Sequence, residues 1–120
     1  MNVILAIFIG GGLGSVSRYG VSKLYDTTFP LGTLTANILS CLILAITIYS
    51  FSSKIETSSF LRAFIVIGFC GGFSTFSTFS FETFELMRNG NIGIAILNIL
   101  VNVTFCILLF YIFRNSLVTS

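Results

Sequence analysis

Gly68-Phe69-Cys70-Gly71-Gly72-Phe73-Ser74-Thr75-Phe76-Ser77-Thr78-Phe79-Ser80-Phe81-Glu82-Thr83 is the stretch that decides how this chain is read. It sits within an apolar segment running from about Phe60 to Leu86. A Gly-Gly pair followed by serines, threonines and aromatic residues makes a poor continuous helix. A helix broken at membrane depth survives only where the freed backbone groups face protein or water. Carbonyls released by such a break can coordinate a small cation, and amides exposed at a new helix start favour an anion. Phe76 and Phe79 are three apart and share a helical face, with Ser77, Thr78 and Ser80 offering hydroxyl donors alongside. An aromatic ring is positive at its edge, so edges turned toward a pathway attract an anion weakly and without full charges. Phenylalanines in a membrane helix are more often filler or lipid contacts; interleaving with Gly, Ser and Thr shifts these two toward a pore.

The rest of the chain places that stretch in a bilayer. Of 120 residues, 55% are hydrophobic and 8% charged, and mean hydropathy is +1.03. Soluble domains carry roughly a quarter charged residues, and six basic plus four acidic side chains cannot cover the surface that a small fold leaves exposed. With spans of about 20 residues, the whole chain, 1–120, reads as a single four-helix transmembrane domain. There is no room for a soluble catalytic domain, and no enzyme activity is expected. The lack of histidine argues against a histidine-based metal site, and a net charge of +2 against a nucleic-acid surface. Cys41, Cys70 and Cys106 are widely spaced in apolar stretches, which fits neither a disulfide framework nor a paired metal site; they read as small packing residues. The N-terminal apolar run lacks a basic leader and is expected to be retained as a helix.

The four segments run from about Val3 to Leu24, Leu31 to Phe51, Phe60 to Leu86 and Ile92 to Phe113. Pro30 precedes a helix start, a position that proline suits. No alternation of apolar and polar residues supports a barrel. One end of the bundle carries Lys54, Arg62 and Arg114 and the other Arg18, Lys23 and Arg88, so basic residues supply no orientation bias. Such a chain can insert both ways and pair with an inverted copy of itself; orientation by weaker cues is the alternative.

Several residues are out of place in lipid. Gly10-Gly11-Gly12-Leu13-Gly14-Ser15 falls short of a dinucleotide fingerprint and follows a helix instead of a strand. Gly10 and Gly14, four apart, suit close helix packing. Arg18 either snorkels to the interface or, if buried, needs acceptors or a water-filled space. Asn37 brings an amide into the second span, while Asn98 and Asn102 share one face of the fourth with Cys106 a turn beyond. Three membrane asparagines exceed what interhelical hydrogen bonding usually requires.

In these motifs the sequence resembles the CrcB/Fluc fluoride channel family over nearly its whole length. The matching stretches are Gly-Gly-Gly-Leu-Gly-Ser-Val-Ser-Arg-Tyr at 10–19, Pro-Leu-Gly-Thr-Leu-Thr-Ala-Asn at 30–37 and the run at 68–83. The resemblance implies an all-α membrane protein of four helices with a broken third helix, assembled as an antiparallel dual-topology homodimer in the bacterial inner membrane. It further implies two fluoride pores, one structural sodium ion and passive fluoride efflux that limits cytoplasmic toxicity. By motif position, Phe76 and Phe79 match the pore phenylalanines and Asn37 the asparagine beside the pathway. Ser77 and Thr78 match the hydroxyl track and Glu82 the acidic residue near one pore end. Gly71 and Ser74 match the backbone carbonyls that hold sodium, Arg18 the arginine of the first helix, and Asn98 and Asn102 fall near the polar track of the fourth span. Some members of the family pair two related chains; the intact pore motifs here imply a self-sufficient homodimer.

Two other readings compete. A small dual-topology drug/proton antiporter needs a protonatable carboxylate within the bundle, whereas Glu82 and Glu85 lie toward one end of the third span and the other three spans hold none. A noncatalytic membrane assembly subunit would account for Gly10 and Gly14 but not for the Phe/Ser/Thr run.

Overall fold

The computed structural model describes residues 2–25, 29–50 and 59–115, and these are mostly helical, with no strand among them. Helix α1 spans Val3–Ser22, α2 Leu31–Ser50 and α5 Ile92–Phe113. The third span, Ser59–Arg88, is divided. Its first half, α3 (59–73), opens with Ser59–Leu61, continues as a π-helical stretch over Arg62–Cys70 and closes with Gly71–Phe73. Its second half is α4, Phe76–Arg88. Phe51, Lys54 and Glu56, with the rest of the second connection, lie outside the described residues, as do Asp26, Thr27 and Thr28 of the first.

The long third span meets a geometric constraint. Thirty residues wound as one straight helix would reach about 45 Å, well beyond the ~30 Å hydrocarbon core. The chain resolves this by leaving the helix at Ser74 (φ −101°, ψ 152°) and Thr75 (φ −150°, ψ 131°) before α4 begins. The break falls two residues after the Gly71-Gly72 pair. Both glycines stay helical, and one is spent on packing: a Cβ on Gly72 would lie 2.5 Å from the Gly11 carbonyl oxygen of α1. Gly10 and Gly14 complete that contact, since side chains there would collide with the Phe64 and Phe69 carbonyls of α3. The spacing read as a packing motif therefore joins α1 to α3 within one chain.

α2 packs mainly on α5, α1 also on α2, and α4 on α5. α4 ends with a left-handed Gly90 (φ 86°), whose N–H donates to the Met87 carbonyl while Asn91 N–H reaches the Leu86 carbonyl. This Schellman turn reverses the chain into α5. The bundle measures 49 × 35 × 20 Å, so its thinnest dimension is about two helix diameters. Most of the large apolar side chains, including Phe8, Phe81 and Ile107, remain exposed, as expected of helices that face lipid or another chain.

Candidate ion pathway

The broken third span is fixed by side chains from both neighbouring helices. Ser40 of α2 and Ser74 itself each donate a hydroxyl to the Cys70 carbonyl at 3.0 Å, and Ser74 N–H adds a bond of 3.2 Å to the same oxygen. Arg18 of α1 donates through Nε to the Gly72 carbonyl at 3.2 Å. Arg18 thus finds a backbone acceptor in a part-buried position. The arginine satisfies a carbonyl at the end of α3, where a helix leaves its last carbonyls without partners.

Beyond the break, α4 starts midway along the third span. Thr75 gives no side-chain cap to its first turn; its hydroxyl pairs with Ser77 Oγ at 2.9 Å instead. First-turn amides of a helix carry partial positive charge. Beside them opens a groove of about 250 Å³ lined by Asn37, Cys41, Ser74, Thr75, Phe76, Phe79, Asn102, Val103 and Cys106, none of them charged. The rings of Phe76 and Phe79 are 5.8 Å apart and inclined at 50°. Phe79 is tucked into the bundle at 9% exposure, whereas Phe76 is 79% exposed.

A continuous ladder of hydrogen bonds stitches α2, α5 and α4 behind this groove. Asn37 Nδ2 donates to Asn102 Oδ1 at 2.9 Å. Asn102 Nδ2 donates at 2.8 Å to both the side-chain and backbone oxygens of Asn98. Asn98, fully buried, donates to Thr83 Oγ1 at 2.9 Å, and the Thr83 hydroxyl donates to the Phe79 carbonyl at 2.8 Å. Every donor in the series points the same way, from the groove toward the backbone that carries Phe79. The sequence reading missed Thr83. Its signal was its place one turn after Phe79 on the same face, but only the pairing of α4 with α5 brings it to Asn98.

The remaining candidates sit elsewhere. Ser77 is exposed, Thr78 is half-buried, and neither borders the groove; Ser74 and Thr75 hold that position. Thr78 and Glu82 share a different face of α4. Glu82 leaves its Oε1 buried with no partner among the described residues. It borders two further pockets, one with Pro30, Asn89 and Asn91 and the other with Tyr25, Phe29 and Thr33. Glu82 thus lies at the end of the bundle formed by the α1–α2 and α4–α5 turns, away from the Phe76 groove. Gly71 is exposed, and a Cβ there would meet nothing within 4 Å.

The ladder makes a direct prediction. Thr83→Val keeps shape but leaves the Asn98 N–H unpaired in a site with 0% exposure. Burying an orphan donor costs about 1–3 kcal/mol, tempered toward the ~0.6 kcal/mol average of such bonds within membranes. The unfolding midpoint in detergent should drop for Thr83→Val and recover in Thr83→Ser. A Thr83→Val protein as stable as the parent would show that the ladder carries no load.

Four spanning helices, one of them broken beside an uncharged polar and aromatic groove, define a multi-pass membrane protein with the makings of a transport pathway. Comparison with known proteins narrows the class. The family described as CrcB-like protein, Camphor Resistance (CrcB), matches residues 5–113, and the chain belongs to this family. It is 43% identical over 105 residues to the fluoride-specific ion channel FluC of Escherichia coli K12, covering 85% of this chain and 83% of that one. The protein of the same name from Pyrococcus abyssi is 42% identical over 113 residues, covering 92% of each. That of Salmonella arizonae is 41% identical over 105 residues, covering 85% and 83%.

Proposed function

We propose that this protein is a passive fluoride channel of the bacterial plasma membrane, working as an antiparallel dimer of two inverted copies. The observation that carries the reading is the groove: Asn37, Phe76, Phe79 and Asn102 converge at the uncapped start of a half-helix with no charged side chain in the lining. Relatives that share most of its length bear the name fluoride-specific ion channel.

Fluoride is small and holds its water tightly, so a pathway must replace lost hydration with donors while leaving the ion free to depart. The Asn37 amide has two N–H donors and commits one to Asn102, which leaves a second for a passing anion. Edges of Phe76 and Phe79 add weak positive potential on the same wall, and the first-turn amides of α4 add more. A fixed cation here would trap the ion; none lines the groove. Thr78 shares the face of α4 that leads toward Glu82, and Ser77 pairs its hydroxyl with Thr75 at the groove. The antiporter reading fits less well because the groove also holds no carboxylate.

A single chain leaves this wall open. Phe76 stands 79% exposed at the groove. A second, inverted copy supplies the opposite wall and generates two equivalent pathways. One sodium ion between the two breaks fits the available donors, because backbone carbonyls such as those of Gly71 and Ser74 are hard ligands. Ser74 commits its hydroxyl to Cys70, so its carbonyl is the group left to offer.

Purified chain alone, reconstituted in liposomes, should release fluoride and exclude chloride. A single cysteine placed at the C-terminus, in a background without the native three, should react with an impermeant thiol reagent in roughly half of the molecules in intact cells. No fluoride release would reject the channel; uniform labelling or uniform protection would reject the inverted pairing.

A further inference from the structure

Cys41 of α2 and Cys106 of α5 border the same groove beside Asn37, Phe76, Phe79 and Asn102. As packing residues they would be enclosed. Both are instead only partly buried, and both face the open volume of about 250 Å³. Cys70 is different: it is fully packed, with Sγ 3.7 Å from the Ser40 carbonyl oxygen. Two of the three free thiols therefore converge on the ion pathway.

Two sulfurs define what such a site can hold. No group of three or more His, Cys, Asp or Glu side chains forms among the described residues, so a closed tetrahedral zinc site is not built here. Thiolate pairs select soft cations of the Cu(I) type, and Ag(I) shares that preference and accepts two ligands in line. The uncharged lining adds an electrostatic condition, because a net charge in a low-dielectric site is costly. A soft monovalent cation bound by one thiolate and one neutral thiol leaves the site with no net charge. A divalent ion with the same ligands would not.

We propose that Cys41 and Cys106 form a soft monovalent-cation site in the wall of the groove, and that its occupation blocks the pathway. On binding, the S–H bond of one cysteine breaks, a bond forms between its sulfur and the metal, and the proton leaves to water. The second sulfur contributes a lone pair and keeps its hydrogen, so one ion enters for each proton released. The bound metal then stands against Phe76, Phe79 and Asn37, where it occupies the space a permeating ion must cross. The consequence for flux rests on the proposed fluoride pathway; the binding itself does not.

Silver nitrate in chloride-free buffer is a suitable probe, since silver fluoride is soluble and the transported ion stays in solution. Titration of the purified protein in detergent should show a single tight Ag(I) per chain with release of one proton. Binding should be lost in Cys41→Ser and in Cys106→Ser and kept in Cys70→Ser. In proteoliposomes, equimolar Ag(I) should slow fluoride efflux roughly tenfold or more by occupying the ion's own wall, and dithiothreitol should restore it. Each serine variant at 41 or 106, measured against its own untreated rate, should be insensitive. Unchanged silver stoichiometry in either of these variants would overturn the site. Saturating silver without loss of efflux would overturn the block. A preparation that moves no fluoride before silver is added would reject the channel reading alone, and the titration would still decide the site.

Discussion

Phe76→Ile is expected to cut fluoride efflux from proteoliposomes roughly 30-fold, the change produced by raising a transit barrier by about 2 kcal/mol, while the isolated chain stays as stable as before. The two halves of this expectation have separate causes. Isoleucine keeps an apolar side chain but has no ring quadrupole, so the positive edge offered to a partly dehydrated anion is lost. Stability is spared because Phe76 is 79% exposed and supports little of the chain's own packing. Phe79→Ile should impair flux as well, but less cleanly: Phe79 is 9% exposed, so the substitution also disturbs the bundle. Its backbone carbonyl, which anchors the asparagine ladder through Thr83, would shift with it. The pair of measurements needed is efflux rate and unfolding midpoint for both variants. Wild-type efflux from both would reject a role for the rings in permeation. Loss of efflux that tracks loss of stability in both would assign them to packing.

The chemistry of the chain was legible in its sequence further than its geometry was. Uninterrupted hydropathy placed four spans within a few residues of the observed helices, because a bilayer tolerates no other reading of such composition. The break in the third span was legible too, in the stretch from Gly71 to Ser74. Gly71-Gly72 marked it by propensity; both glycines stay helical, Gly72 in close approach to Gly11, and the chain leaves the helix at Ser74 and Thr75. Arg18 had two readings in the sequence, and neither named the Gly72 carbonyl that it bonds at the end of α3. The asparagines at 37, 98 and 102 were identified as too many for casual use, yet their order in one ladder, and the part played by Thr83, depend on the register between α2, α4 and α5. Cys41 and Cys106 read as filler because they are 65 positions apart in sequence, a separation across which no spacing rule operates.

Adjacent glycines at the break are expected to fail in opposite ways, and the contrast tests whether anything outside this chain completes the site. Gly72→Val puts a side chain where a Cβ alone would already lie 2.5 Å from the Gly11 carbonyl oxygen. Overpacking of that kind costs about 1–3 kcal/mol or more, so this variant should express poorly and unfold early even as a single chain. Gly71→Val meets no atom within 4 Å of the new Cβ, and valine costs a helix only a few tenths of a kcal/mol beyond its better formers. The folded chain therefore has no reason to object. If the proposed inverted copy and sodium ion lie against that open side, the added bulk keeps the two breaks apart. Gly71→Val should then keep its helical content, run as a monomer in detergent and lose nearly all fluoride efflux. Ser74→Ala should be mild by comparison, because it removes a hydroxyl already spent on the Cys70 carbonyl and leaves its own carbonyl in place. Exchange of sodium for a bulky organic cation, with depletion verified, should reproduce the Gly71→Val behaviour in the unmodified protein. A Gly71→Val protein that remains dimeric and conducts at the parent rate would remove both partner and ion from this face. A dimer that forms and conducts without sodium would remove the ion alone.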